Sequence, residues 1–274
     1  MNWRELRLSP PDELKEGLFA ALYEVGCQGI NETDDGLLAY FPEDISPETI
    51  TATAENFGVE AELRDIEEQD WYAGWKETVR PFSAAGFTIC PPWSEYDPSP
   101  DERVIILDPG QAFGTGDHVT TQTVIDALRV WLDEQKSAEG RRFLDLGTGT
   151  GIISIAAAFW GIEDITAVDN ETPAVETAAH NFELNDLSGR IRLLKGSIGE
   201  VGGGYDFIAA NIFQEVLIEL LPETVAALNP GGTLAVSGLL TGQEQKVILA
   251  AISLGLIITR VVHASGWVSV VFKK

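Results

Sequence analysis

Cysteine is nearly absent: Cys27 and Cys90 are the only two in 274 residues, far apart and without metal-type spacing. That excludes a disulfide framework and fits a reducing cytosol. Histidine is as scarce, and His118, His180 and His263 are scattered, so no metal site is expected. Long apolar runs are missing as well. The run from Ile152 to Ile162 holds 11 residues, against about 20 for a bilayer span. The opening residues carry charges throughout and no apolar stretch, which argues against a signal peptide and for a cytoplasmic protein without membrane association. Positive charge is the last shortage. There are 18 basic residues against 43 acidic ones, a net −25, and only seven of the basic residues are lysine. Such a surface repels a nucleic-acid backbone, so direct nucleic-acid binding is not expected. It would attract a basic protein and speed the encounter. Adaptation to a salty cytoplasm gives the same composition, and the even spread of the acids along the chain favours that explanation. A monomer is compatible with all of this, and oligomeric state is left open.

What is present falls into two patterns. Residues 1–68 read as strand, helix, two strands, helix and strand. "WRELRL" alternates, and "PPDELKEGLFAALYEVG" has proline at its start and glycine just past its end, as a helix does. "CQGINET" and "GLLAYF" flank Asp34-Asp35-Gly36, a hairpin signal. "SPETITATAENFG" is a capped second helix, and "VEAELRDIEE" alternates again. The βαββαβ order is the ferredoxin-like α+β plan, which does not by itself specify a role. Residues 69–82, "QDWYAGWKETVRPF" with its flank, read as a linker helix, with Trp71, Tyr72 and Trp75 packed between domains. From residue 83 to 274 strands and helices alternate, which argues for a parallel sheet covered by helices on both faces. "LGLIITRVVHAS" and "GWVSVVFKK" close the chain as a hairpin around Ser265-Gly266, placing one antiparallel strand in the sheet.

Two glycine-rich loops sit in that second region: "LDPGQAFGTGDHVTTQT" at 107–123 and "LDLGTGTG" at 144–151. In a doubly wound sheet the ligand lies outside the carboxyl ends of the strands, and the first βα turn needs glycine for close backbone approach. The later loop has Asp145, Gly147, Gly149 and Gly151 in DxGxGxG spacing. A dinucleotide fingerprint would need glycine where Ile152 stands, and a Walker loop needs a Gly-Lys pair that neither loop has. Asp169 ends the next strand, 22 residues past Gly147, where an acid accepts hydrogen bonds from ribose hydroxyls.

DxGxGxG in this context resembles the cofactor loop of class I S-adenosylmethionine-dependent methyltransferases, a Rossmann-like fold with a seven-stranded sheet. The resemblance implies S-adenosyl-L-methionine as cofactor, its amino-acid part admitted by Gly147, Gly149 and Gly151 and held with the help of Asp145. It implies ribose contact by Asp169 and an adenine-contacting side chain near Ile198 in "GSI". The earlier loop narrows this further. Together with "DWYAGWKETVRPF", "PPW" and "AANI", it resembles the segment DPGxAFGTGxHxTT of ribosomal-protein methyltransferases of the PrmA type, which methylate amino groups of ribosomal protein L11. The family's cofactor contacts carry over to Thr121, Gly147, Asp169 and Asn211. Phe113, Gly114 and Gly116 are expected to wrap over the methyl donor. Substrate recognition is expected of the N-terminal domain, with a basic ribosomal protein as partner.

Two departures from the family stand out: "GTGTG" replaces a loop with cysteine and serine between its glycines, and "NIFQEVL" replaces "NIL" followed by a small residue, which bears on the substrate channel near Phe213. An "NPPY" motif, which grips a planar amide, is missing, which argues for amine rather than amide methylation. Asn211, at the end of the fourth strand, is the candidate to meet the cofactor or the incoming amine. His118 is a candidate base, with the alternative that it caps or braces its loop. Two other functions stay open at this point: methylation of another protein or small molecule, and a cofactor-binding module without turnover.

Overall fold

The computed structural model describes residues 2–33, 36–67, 80–110, 112 and 114–274. The chain divides into two compact units, Met1–Val79 and Arg80–Lys274.

In the first unit, strands β1 (Asn2–Leu8), β2 (Gly29–Thr33), β3 (Gly36–Pro42) and β4 (Ala61–Glu67) form one sheet in the order β2-β3-β1-β4. Every pairing in it is antiparallel. Helices α1 (Asp12–Glu24) and α2 (Pro47–Asn56) connect the strands in the split βαβ manner, giving the expected ferredoxin-like plan. Period-two alternation puts Leu6 and Leu8 of β1 into a core with Leu18, Leu22, Ile50 and Ala54 from the helices. Glu5 points to the opposite face, where the Arg64 guanidinium grips its carboxylate through two nitrogens at 2.8 Å. Ser46 caps α2 by accepting the Thr49 N–H at 3.2 Å, with Pro47 in the first turn. Asp34 and Asp35 of the hairpin signal lie outside the described residues; β2 and β3 pair from Thr33↔Gly36 outward. Trp71, Tyr72, Trp75 and most of the expected linker helix also lie outside them.

The second unit opens with a small sheet of β5 (Phe82–Ala84), β6 (Phe87–Cys90) and β7 (Val104–Ile106). Phe82, assigned to the linker on sequence, is thus the first residue of a strand and pairs with Ile89. Then come α3 (Val119–Gln135), β8 (Arg142–Leu146), α4 (Ile152–Phe159), β9 (Asp164–Asp169), α5 (Thr172–Leu184) and β10 (Ile191–Lys195). They are followed by β11 (Tyr205–Asn211), α6 (Gln214–Ala227), β12 (Leu228–Leu240), α7 (Glu244–Ser253), β13 (Ile257–Ala264) and β14 (Trp267–Lys273). The seven strands lie in the order β10-β9-β8-β11-β12-β14-β13, with only β14 antiparallel to its neighbours. This is the class I methyltransferase arrangement, and the order reverses between β8 and β11.

Alternation along the strands assigns the faces. Phe207 and Ala209 of β11 pack with α3, α4 and α5, whereas Ile208 and Ala210 pack with α6 and α7. Strand β12 begins at Leu228, ahead of Pro230 and Gly231. Its pairing passes from Tyr205↔Leu228 to Phe207↔Thr233, a bulge that absorbs Pro230, which has no N–H to give a ladder. Cys27 and Cys90 are buried and not bonded to each other. No helix among the described residues is long and apolar enough to cross a membrane.

Candidate active site

The crevice at the β8/β11 reversal is where a doubly wound sheet places its ligand, and the DxGxGxG loop joins β8 to α4 there. Gly147, Gly149 and Gly151 all adopt left-handed φ, at 73°, 54° and 83°, a region that costs other L-residues about 1–2 kcal/mol. Space is as restrictive as conformation. A Cβ on Gly147 would collide with the Ile212 side chain, and one on Gly151 would come within 2.5 Å of Phe182 Cε1. The loop is also pinned from behind, since the N–H groups of Gly147 and Thr148 donate to the Val168 carbonyl at 2.9 and 3.0 Å.

Asp145 is fully buried near the end of β8. Its Oδ2 accepts the Thr148 hydroxyl at 2.8 Å, the Ser154 hydroxyl at 2.8 Å and the Ser154 N–H at 3.2 Å. Burial pushes its pKa up to about 6, against the lowering effect of those three bonds. Its other oxygen, Oδ1, is buried with no hydrogen-bond partner. Asp169 ends β9, as expected, and is half-buried. Its Oδ2 accepts the Gly149 N–H at 3.0 Å and its Oδ1 accepts the Glu171 N–H at 3.0 Å. The carboxylate therefore joins the two strand ends and retains lone pairs for further donors. Ile198 opens a short 3-10 turn, Ile198–Glu200, and its side chain is buried in the core on the α6 and α7 side with Val168 and Leu146.

The earlier loop, from the end of β7 to α3, is held by residues far away in sequence. Asn181 of α5 is the main clamp: its Oδ1 accepts the Asp108 N–H at 2.8 Å, and its Nδ2 donates to Asp108 O at 2.8 Å and Thr150 O at 2.9 Å. Asn185, one turn on, treats Ile106 the same way, accepting its N–H at 2.9 Å and donating to its carbonyl at 2.6 Å. Thr150 donates its hydroxyl to Gly114 O, so the two glycine loops touch directly. Gln122 secures the end of the loop through Gly116 O and Asp117 O, at 3.2 and 2.8 Å. Gly114 and Gly116 have φ of 104° and 87°, and a Cβ on Gly116 would lie 2.6 Å from Ile152 Cδ1. Phe113 lies outside the described residues.

His118 is the N-cap of α3. Its Nδ1 accepts the Thr120 N–H at 3.4 Å and lies 2.7 Å from Thr120 Oγ1. Its ring meets Trp267 edge-on, with centroids 4.9 Å apart and planes at 80°. Of the two roles read from sequence, capping is the one this geometry displays. Thr121 is buried one residue past Thr120, and the hydroxyls of both are 3.3 Å from Asn211 Nδ2. Asn211 Oδ1, like Asp145 Oδ1, is buried without a partner. Phe213, by contrast, stands 73% exposed just past Asn211.

The structure thus brings Asp145, Gly147, Gly149, Gly151 and Asp169 together at one crevice, with Gly114 tied to that loop. His118, Thr121 and Asn211 are joined across α3 and β11. Sequence reasoning missed Asn181, Asn185, Thr150, Ser154 and Thr120. A signal for the first two existed: asparagines four apart, on the face of α5 that otherwise buries Ala174, Ala178 and Phe182. Such a polar pair on an apolar face needs buried partners. Chemically, the site offers a glycine cradle, one half-buried carboxylate with lone pairs to spare and two buried acceptor oxygens for N–H donors.

Comparisons with known proteins agree with this arrangement. The family model for ribosomal protein L11 methyltransferase (PrmA) matches residues 32–274. The ribosomal protein L11 methyltransferase of Bacillus cytotoxicus is 31% identical, over 99% of each chain. That of an Exiguobacterium species is 36% identical over 77% of this chain and 67% of its own. The crystal structure of a ribosomal protein L11 methylase from Lactobacillus delbrueckii subsp. bulgaricus superposes with a TM-score of 0.63. It is 31% identical and covers 71% of this chain and 98% of that one.

Proposed function

Because this chain belongs to the ribosomal protein L11 methyltransferase (PrmA) family, we propose that it methylates lysine or N-terminal amines of ribosomal protein L11 at the β8/β11 crevice. As a member it is an S-adenosylmethionine-dependent protein methyltransferase. The observation that carries the site assignment is the pair of buried, unpartnered oxygens Asp145 Oδ1 and Asn211 Oδ1 at the ends of adjacent strands. Buried acceptors are ordinarily satisfied, and the reaction supplies two N–H donors, the cofactor's ammonium and the acceptor amine.

When bound, S-adenosylmethionine supplies a methyl group activated on sulfonium. The protein's task is alignment and a dry, shaped site. In this reading Gly147, Gly149 and Gly151 admit the amino-acid part of the cofactor and Asp145 faces its ammonium. Asp169 accepts from the ribose hydroxyls, and Ile198 lies under the adenine end. Gly114 and Gly116, with Phe113, cover the methyl donor; Thr121 and Asn211 border the point where the amine enters. A lysine amine, with a reference pKa of about 10.4, must lose its proton before attack. The N-terminal unit recognises the acidic chain's basic substrate, and the work takes place in the cytoplasm where that substrate is made.

Incubation with labelled S-adenosylmethionine and purified L11, followed by mass spectrometry, tests this directly. Label on lysine or N-terminal amines is expected; tight cofactor binding with no transfer to L11 would overturn it. Asp169→Ala should weaken cofactor binding by roughly 10-fold or more, as loss of a charged hydrogen-bond acceptor does, and undiminished affinity would remove the ribose assignment.

A further inference from the structure

The hydrogen bonds around Thr120 decide which way round the Asn211 amide sits. Since the Thr120 N–H donates to His118 Nδ1, that nitrogen carries a lone pair, and the imidazole proton is on Nε2. Thr120 Oγ1 lies 2.7 Å from the same Nδ1. With no proton on the nitrogen, the hydroxyl turns its only proton there and shares the lone pair with the Thr120 N–H in a three-centre bond. What remains on Thr120 Oγ1 is acceptor capacity, so the Asn211 atom 3.3 Å away is the NH2 and not the oxygen. Thr121 Oγ1 receives the same NH2 at 3.3 Å. The other arm of the amide, Oδ1, is left buried and unpartnered. Burial lowers the His118 pKa, with Asp117 pulling the other way, and the edge of Trp267 holds the ring.

Resting on the proposed amine methylation, we infer that His118 is a positioning residue: acting through Thr120, its neutral imidazole fixes Asn211 with Oδ1 presented to an N–H of the methyl-accepting amine. The division between the two buried acceptors follows from charge. A carboxylate stabilises a positively charged partner, which suits Asp145 to the cofactor's ammonium. Beside the acceptor it would hold the amine protonated and unreactive. An amide oxygen orients a neutral amine without that penalty. Held by one N–H, the amine has fewer directions in which its lone pair can point. His118 then has no part in proton abstraction, because its Nδ1 lone pair is already engaged.

The test combines a spectrum with a variant series. In the 15N NMR spectrum of the full-length protein near neutral pH, His118 should show the neutral Nε2–H tautomer. An imidazolium or an Nδ1–H tautomer would overturn the inference. With S-adenosylmethionine and purified L11, His118→Ala and Thr120→Val should each lower the single-turnover rate at saturation on the order of 10- to 100-fold. Their affinity for S-adenosylmethionine alone should change far less. His118→Asn restores a neutral capping acceptor and should recover most of the rate; so should Thr120→Ser. If His118→Asn is as slow as His118→Ala, or if cofactor affinity falls as much as the rate, the inference fails. Absence of transfer by the unmodified enzyme would overturn the proposed function instead, while the spectrum would still decide the tautomer.

Discussion

The two glycine loops look alike in sequence and are built in opposite ways. The later loop is held mostly by groups near it in sequence, Asp145 three residues from Thr148, Ser154 at the start of α4 and the end of the neighbouring strand, with one bond from farther off, Asn181 to the Thr150 carbonyl. The earlier loop has its strand end fastened by Asn181 and Asn185, more than seventy residues away, and rests on the later loop through Thr150. A cradle closed mostly by short-range contacts needs few distant elements in place. A loop borrowed from distant partners is the part whose position other changes can shift. The contrast fits a division of labour in which the later loop seats the cofactor and the earlier one closes over the methyl donor.

Gly147→Ala attacks the local cradle and should have the largest effect. The left-handed φ and the collision with Ile212 leave alanine no unstrained position. Calorimetric titration should find S-adenosylmethionine binding essentially lost, with stability down by about 1–2 kcal/mol; near-normal binding would mean the cradle is softer than its contacts imply. Asn181→Ala attacks the borrowed loop. It strands the Asp108 N–H and the carbonyls of Asp108 and Thr150, at about 1–3 kcal/mol for a buried group left unsatisfied. Hydrogen exchange should speed up at residues 108–116 more than at 147–149. Equal acceleration in both segments would erase the contrast drawn between them.

The smallest of these effects is set by Asp145 and pH. Its folded pKa, about 6, lies above the ordinary aspartate value of 3.8. The raised pKa means that its contribution to stability is fully present below pH 3.8 and is lost as pH rises through about 6. Asp145→Asn should remove that pH-dependent loss, seen as a flatter dependence of urea-denaturation midpoints between pH 5 and pH 7.5. Cofactor affinity should run the other way in the unmodified protein, weakening severalfold from pH 7 to pH 5 as the carboxyl facing the cationic cofactor takes up a proton. A pH-independent affinity would separate Asp145 from the ammonium.

Much of this was legible in the sequence. Alternating apolar residues and well-placed glycines and prolines gave the order of elements in both units. The spacing of Asp145, the three glycines and Asp169 located the cradle, because strand-end chemistry repeats at fixed intervals. Strand β12 was harder, since Pro230 has no N–H to give a ladder, and only the sheet shows that a bulge carries pairing past it. Asn181 shows in sequence only as half of a polar pair on an apolar helix face, which does not say what it holds. A helix-interior asparagine has meaning only when its partners, 31 and 73 residues away, are in place. His118 carried two readings in sequence, and the position of Thr120 in the first turn of α3 separates them.

The hydroxyl chain beneath that first turn bears on the order in which the protein assembles. Thr123 of α3 meets Ser269 of β14 at 2.6 Å, across 146 residues, and Ser269 meets the buried Ser237 of β12 at 2.7 Å. The link between Gly149 and Asp169 spans only 20 residues. Closing a long stretch of chain costs more entropy than closing a short one, and contacts distant in sequence form slowly. During refolding the cradle should therefore mature first, and the wall that carries Thr120, Thr121 and Asn211 only after β14 has slid between β12 and β13.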